Sequence, residues 1–386
     1  MKFKLVTVFG LALFLLLAQF AIVSAEDGNQ LFLQGLKEYY LGAYSKAIIS
    51  FDKVLDWNND HVDALYYQTL SYIELNNVTK ARENISQLEA LGYQFGLIHW
   101  KLGTIYLNKE GQFDSPFYNE AKKELEKAHE LGINSPQFHS DLAMAYQGLG
   151  DLKKAAREYG KALSKGGEIG DYINLAALYK ETGQLDKAIN TYKQALNLNP
   201  DNTSIYLNLG NIYLQKGNYD SAIEVLKEGV ALDPSFVAIR SKLATAYYEK
   251  GNFEKAKEQF NKVIKQNNNI YEAYYYLGEI YYNVENNVQK AIYYYNEATK
   301  KNPDYVKAYI ALGNIYINQD NTYKAIAQYT TAIEKNQNYP DGHYHLAVAY
   351  HKLGMKEAAV AELRKTLHLN PDYQAARDLL SELTKE

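Results

Sequence analysis

His343, His345 and His351 stand close together near the C-terminus and are the first residues to test for chemistry. On a helix with about 3.6 residues per turn, His343 and His345 point roughly 200° apart and share no face. His345 and His351 lie closer in angle, but no carboxylate or third histidine stands at ligand spacing to them. The three therefore read as histidines on a solvated helix face, not as a metal centre. The chain of 386 residues has no cysteine, so it offers no thiol nucleophile, no disulfide and no lipid-modified cysteine anchor. It has no G-x-S-x-G, no G-x-x-x-x-G-K-[ST] and no H-E-x-x-H. Asn77, Asn84 and Asn202 lie in N-x-S/T sequons, which matter only in a host that glycosylates. No enzyme activity, cofactor or metal is expected, and recognition by amide and phenol groups is what remains.

Those groups recur at fixed spacing. Alanine falls at Ala47, Ala81, Ala121, Ala155, Ala188, Ala222, Ala256, Ala291, Ala325 and Ala359, at intervals of 33 to 35 residues apart from one of 40. Tyr72, Tyr106, Tyr146, Tyr179, Tyr213, Tyr247, Tyr281, Tyr316 and Tyr350 run with them, mostly nine residues upstream. Three residues before each tyrosine stands a small residue or Thr, such as Gly103, Ala143, Gly210 or Gly313. Gly35 is the counterpart in the first repeat, where Glu38 replaces the tyrosine. A period near 34 marks a helical solenoid. Within each half-repeat apolar residues recur at helical spacing, as in Leu175, Ala176 and Tyr179. Gly150, Gly183, Gly217 and Gly251 fall where a first helix must stop. Pro200, Pro234, Pro303 and Pro371 follow the second helix.

Repeats such as "NLGNIYLQKGNYDSAIEVLKEGVALDP" (208–234) and "ALGNIYINQDNTYKAIAQYTTAIEKN" (311–336) resemble the tetratricopeptide repeat (TPR). The resemblance covers about ten repeats over residues 29–371 and implies an all-α fold of helix-turn-helix units, A and B. It further implies a right-handed superhelix whose A helices line a concave groove. Residues 372–386 read as a C-terminal helix capping the last apolar face. Each small residue on helix A is expected to face the alanine on helix B, so that the two backbones approach closely. Extra residues in "KEGQFDSPFYNEA" and around Asn286 and Asn287 read as loop insertions, the first as a protruding turn between helices at 110–118.

With the Leu-Gly/Ala pair numbered 7–8, the tyrosine 11 and the alanine 20, positions 4, 7, 8 and 11 share the face against helix B. Positions 2, 5, 6, 9, 12 and 13 lie opposite, toward the groove. The candidate partner-binding residues there are Asn174, Asn208, Asn211, Tyr248, Tyr275, Tyr282, Asn314 and Asn318. Asn both donates and accepts, as a peptide backbone requires, and Tyr supplies rigid amphipathic area. The resemblance implies an asparagine ladder at position 6; here Asn174 and Asn208 form two rungs before Lys242 and Tyr276 interrupt it. The family's carboxylate clamp is not matched, because Ile173, Ala177 and Ala238 flank Asn208.

Residues 1–25 stand apart. A short basic start, an apolar run over 5–23 and Val23-Ser24-Ala25 before Glu26 read as a secretory leader cleaved after Ala25. The run is also long enough to remain as a membrane anchor. Net charge is −4, and two units more negative once Lys2 and Lys4 leave with the leader, which argues against a nucleic-acid partner. The expectation is an exported scaffold of the periplasm or cell envelope that binds proteins or extended peptide segments. Membrane contact is expected only through the N-terminal segment. The alternative is a glycan-binding component of a polysaccharide export or envelope assembly system.

Overall fold

The computed structural model describes residues 26–108 and 115–385, and among them there are twenty-one helices and no strand. They fall into two bodies, one ending at Ala195 and the other beginning at Leu196. In the first, A and B helices alternate as α1 (Glu26–Tyr40), α2 (Tyr44–Trp57), α3 (Val62–Glu74), α4 (Val78–Ala90), α5 (Gly96–Leu107), α6 (Ser115–Glu130), α7 (Pro136–Gly148), α8 (Leu152–Ser164), α9 (Ile169–Glu181) and α10 (Leu185–Leu198), the last crossing the boundary. The second holds α11 (Thr203–Gln215), α12 (Tyr219–Leu232), α13 (Val237–Glu249), α14 (Phe253–Gln266), α15 (Tyr271–Asn283), α16 (Val288–Lys301), α17 (Val306–Asn318), α18 (Thr322–Lys335), α19 (Pro340–Lys352), α20 (Lys356–Leu369) and the unpaired α21 (Gln374–Thr384). Within each body, most helices pack on their repeat partner and on the start of the next repeat.

One local device makes the A-to-B turn. Position 15 takes a positive φ, supplied by glycine at Gly150, Gly183, Gly217 and Gly251, and by Asn76, Asn286 and Asp320 in other repeats. Asn and Asp are the non-glycine residues that reach this region most readily. The next residue caps helix B: the side chains of Asn77, Asp151, Asn218, Asn252, Asn287 and Asn321 each accept from the backbone N–H three residues on. At that third residue a lysine often follows, and its ammonium group lies over the position-11 ring of the same repeat. Lys154 over Tyr146, Lys187 over Tyr179, Lys255 over Tyr247, Lys290 over Tyr281 and Lys324 over Tyr316 stand 4.7–5.6 Å from the ring centroid. The tyrosine ladder thus joins the two helices by a cation–π contact.

The alanines at position 20 are fully buried. What the small residue at position 8 accommodates, however, is chiefly the side chain four residues beyond the alanine. A Cβ on Gly210 would come within 2.4 Å of the Leu226 side chain, on Gly278 within 2.6 Å of the Tyr295 ring, and on Gly313 within 2.3 Å of the Tyr329 ring. Alanine's backbone is also near: a Cβ on Gly103 would lie 3.3 Å from the Ala121 carbonyl and 2.7 Å from Leu125. The large residue at position 24 fills the space that glycine leaves, as close packing requires.

His343 corrects the expectation of a solvated histidine. It is buried, with Nδ1 2.6 Å from Glu362 Oε2 and Nε2 3.0 Å from the Gln337 carbonyl. The same A-to-B pair occurs as His99–Glu124 at 2.7 Å and His139–Glu158 at 2.8 Å. In these three repeats position 4 is His and position 23 is Glu, and no other repeat has either residue there. A buried imidazole needs a partner, and each of these histidines has one within its own repeat.

The single-residue insertion near Asn286 leaves the turn's bonding intact: Asn287 N–H still reaches the Tyr281 carbonyl, as Asn252 reaches Tyr247. The six-residue insertion falls between Leu107 and α6, which has Pro116 in its first turn; residues 109–114, Phe113 among them, and the leader 1–25 lie outside the described residues. α21 packs on α20, with Ala376 and Leu383 joining Ala347, Ala359 and Leu363 in one buried cluster. Among the described residues no helix is long and apolar enough to cross a membrane.

Candidate partner-binding cavity on the A helices of repeats eight to ten

The second body carries a cavity of about 350 Å3 lined mainly from α15, α17 and α19. It brings together Tyr275, Tyr282 and Asn314 of the sequence-derived candidates. Asn318 sits beside them, its Nδ2 donating to the Tyr282 hydroxyl at 2.7 Å. Tyr248 lies one repeat earlier and packs edge-on against Tyr276, centroids 4.9 Å apart. Asn208 and Asn211 lie on α11 of the same body and do not line the cavity. Asn174 belongs to the first body, near the Tyr159 hydroxyl. All eight candidates are half-buried except Asn318, which is exposed.

The wall is built from helix B as well as helix A. Tyr295, at position 24 of α16, passes beneath Gly278 and its hydroxyl donates to Glu279 Oε1 at 2.5 Å. Asn283 Nδ2 donates to Glu279 Oε2 at 3.0 Å. Tyr329, in the same place in α18, donates to Asn314 Oδ1 at 2.7 Å. That bond takes one of the two acceptor sites on Asn314 Oδ1 and leaves both amide hydrogens to donate, which weights its expected two-way role toward donation. His345 stacks on Tyr329 with centroids 5.4 Å apart and planes 18° apart, and burial lowers its pKa despite Asp341 nearby. Asp341 stands in the first turn of α19, and Tyr339 and Tyr373 face it. Burial first, and Asp341 second, raise the pKa of both phenols. Burial and then the Glu279 charge push the Tyr248 phenol up to about 12. Lys307, from α17, lines the cavity and is exposed.

Glu279, Lys307 and His345 occupy positions that the helical wheel turns toward the groove, yet the spacing alone did not mark them as site residues. Asp341, at position 2, was open to the same wheel and was missed. Tyr295 and Tyr339 were out of its reach: one is on helix B and the other precedes helix A. A larger cavity, about 780 Å3, lies among α18, α19 and α20. Its Glu362 is already bound by His343 and by Lys365 at 2.7 Å, and none of the sequence-derived candidates lines it.

Family models described as TPR repeat or tetratricopeptide repeat match residues 136–160, 176–217, 210–251, 241–306, 294–327, 319–354 and 340–373. No curated protein matches the chain. Among solved structures, yeast Tom70 is similar at 14% identity over 92% of this chain and 95% of its own, with a TM-score of 0.52. The APC/C hetero-tetramer Cut9-Hcn1 is similar at 15% identity over 93% of this chain and 76% of that one, with a TM-score of 0.51. At such identities the likeness is one of fold alone. The matched repeats span more than half of the sequence, and their helix pairs, turns and packing positions are those described above: the chain belongs to the tetratricopeptide repeat family, a family of protein-interaction scaffolds.

Proposed function

We propose that this chain is an exported scaffold of the periplasm or cell envelope, and that it holds an extended segment of a partner protein against the A helices of repeats eight to ten. The observation that carries this reading is the convergence of Tyr275, Tyr282 and Asn314 on one cavity whose walls are fixed by buried partners. Tyr329 and Tyr295 are almost wholly buried, so the polar groups they hold are preorganised and little ordering remains to be paid on binding. The role is recognition without a chemical step. The leader-like residues 1–25 support export.

The test places a photo-crosslinking amino acid at Ala311, in the cavity wall, and at Tyr323, exposed on helix α18, in the full chain in its native envelope. Cross-linking of a protein from Ala311 and not from Tyr323 is expected. Tyr282→Ala should then weaken that partner's binding by about 1–3 kcal/mol, the cost of an unpaired polar group and lost contact, with the melting transition little changed. Asn208→Ala with Asn211→Ala shows whether contact extends to α11. Capture of a polysaccharide from Ala311, or saturable binding on a glycan array lost with Tyr282→Ala, would replace the protein reading with the glycan one.

A further inference from the structure

Building on that reading, we propose that the cavity of repeats eight to ten selects a cationic side chain, arginine or lysine, on the extended segment it binds. Two carboxylates face it, Glu279 and Asp341. Glu279 is held by neutral donors, the Tyr295 phenol and the Asn283 amide. Asp341 is faced by the Tyr339 and Tyr373 phenols. Neither carboxylate has a lysine or arginine ion-pair partner among the described residues. Glu124 and Glu362 show the cationic pairing such a group takes where a cation is within reach, with Arg82 and His99 and with His343 and Lys365, whereas the buried Asp141 and Asp171 are held, like Glu279, by neutral donors. A charge kept away from water without a counter-charge is costly, and a cation from the ligand supplies the missing partner.

The walls suit the same ligand. Tyr275, Tyr282 and Tyr339 bring ring systems to the cavity, and an aromatic face attracts ammonium and guanidinium groups. Lys307 is the sole lysine or arginine of the lining, and it is exposed on a flexible stem. With His345 neutral, the lining keeps a net negative charge. Guanidinium binds a carboxylate through two parallel hydrogen bonds, which favours arginine over lysine. The free amide hydrogens of Asn314 lie in the same cavity and suit a carbonyl of the peptide backbone beside that side chain.

The experiment uses blocked twelve-residue Gly/Ser peptides with a central Arg-Gly-Arg, and the same peptides carrying Lys, Gln or Glu in place of Arg. Each is titrated into the full chain at low salt with fluorescence anisotropy as the readout. The Arg peptide is expected to bind at least tenfold more tightly than the Gln peptide, with Lys between them and Glu weakest. Glu279→Gln with Asp341→Asn, which keep the shape and remove the charge while turning one acceptor oxygen of each into an amide donor, should reduce the Arg advantage to less than threefold. Asp341→Asn alone, and 0.5 M salt on the unaltered chain, should each shrink it if the double variant does not fold. Equal binding of the Gln and Arg peptides, still lost with Tyr282→Ala, overturns the cation preference and leaves the peptide-binding reading standing. An Arg advantage that survives removal of both charges overturns the assignment to these carboxylates. Failure of every peptide to bind overturns both.

Discussion

At the scale of single residues, the periodic positions carry more than packing. Tyrosine at position 11 is the ring under a lysine, asparagine at position 16 is the helix cap, and histidine at position 4 calls for glutamate at position 23. His345 shows what the environment adds. Burial places its folded pKa below the ordinary histidine value near 6.5. The unfolded chain therefore binds this proton more readily, and stability falls as pH drops through that ordinary value toward the folded pKa. His345→Phe, which keeps a ring against Tyr329, should lose less stability between pH 7.5 and pH 5.5 than the unaltered chain. Urea denaturation at both pH values measures this, and an equal loss in the two proteins would contradict the linkage.

At the scale of elements, the stability of a helix pair rests on a small residue opposite a large one. Gly210 lies under Leu226 with no room for a Cβ. Gly210→Ala should therefore destabilise the fold by about 1–3 kcal/mol through overpacking, despite its better helix propensity. Leu226→Ala should cost about 2–5 kcal/mol by leaving a cavity. The double variant should cost less than the sum by about 0.5–3 kcal/mol, because the new methyl group enters the vacated space. Additive losses in denaturant unfolding would mean that these two positions do not share the space. Gln215→Ala, on an exposed side chain of the same helix, should stay within about 0.5 kcal/mol.

At the scale of the whole molecule, a repeat array places its core in local pairs, so each repeat is completed by its own two helices and its neighbour. The first described helix starts at Glu26, and the first repeat's buried residues, Leu36, Ala47, Phe51 and Val54, all lie beyond the expected cleavage point. Removal of residues 1–25 therefore takes away none of that core. If the chain is exported as proposed, the mature form should begin at Glu26, as N-terminal sequencing or intact mass would show. A membrane-bound form that retains residues 2–25 would instead establish the anchored alternative.

The sequence by itself determined the family, the number and order of the helices, the turn glycines and the face each helix presents. These follow from short-range rules: a 3.6-residue period, a turn that needs positive φ, and a repeat that forces the same solution about ten times. It also placed Tyr275, Tyr282 and Asn314 on the face that forms the cavity. Only the tertiary structure decided that Asn208 and Asn211 stay apart from that cavity, that Tyr295 reaches it from a B helix, and that His343 is buried against Glu362. A helical wheel gives the direction of a side chain but not its reach, and hydrogen-bond partners are chosen across helices. Glu279 acquires its place from Tyr295, sixteen residues away, and Asn314 from Tyr329, fifteen residues away, through contacts that no single helix contains.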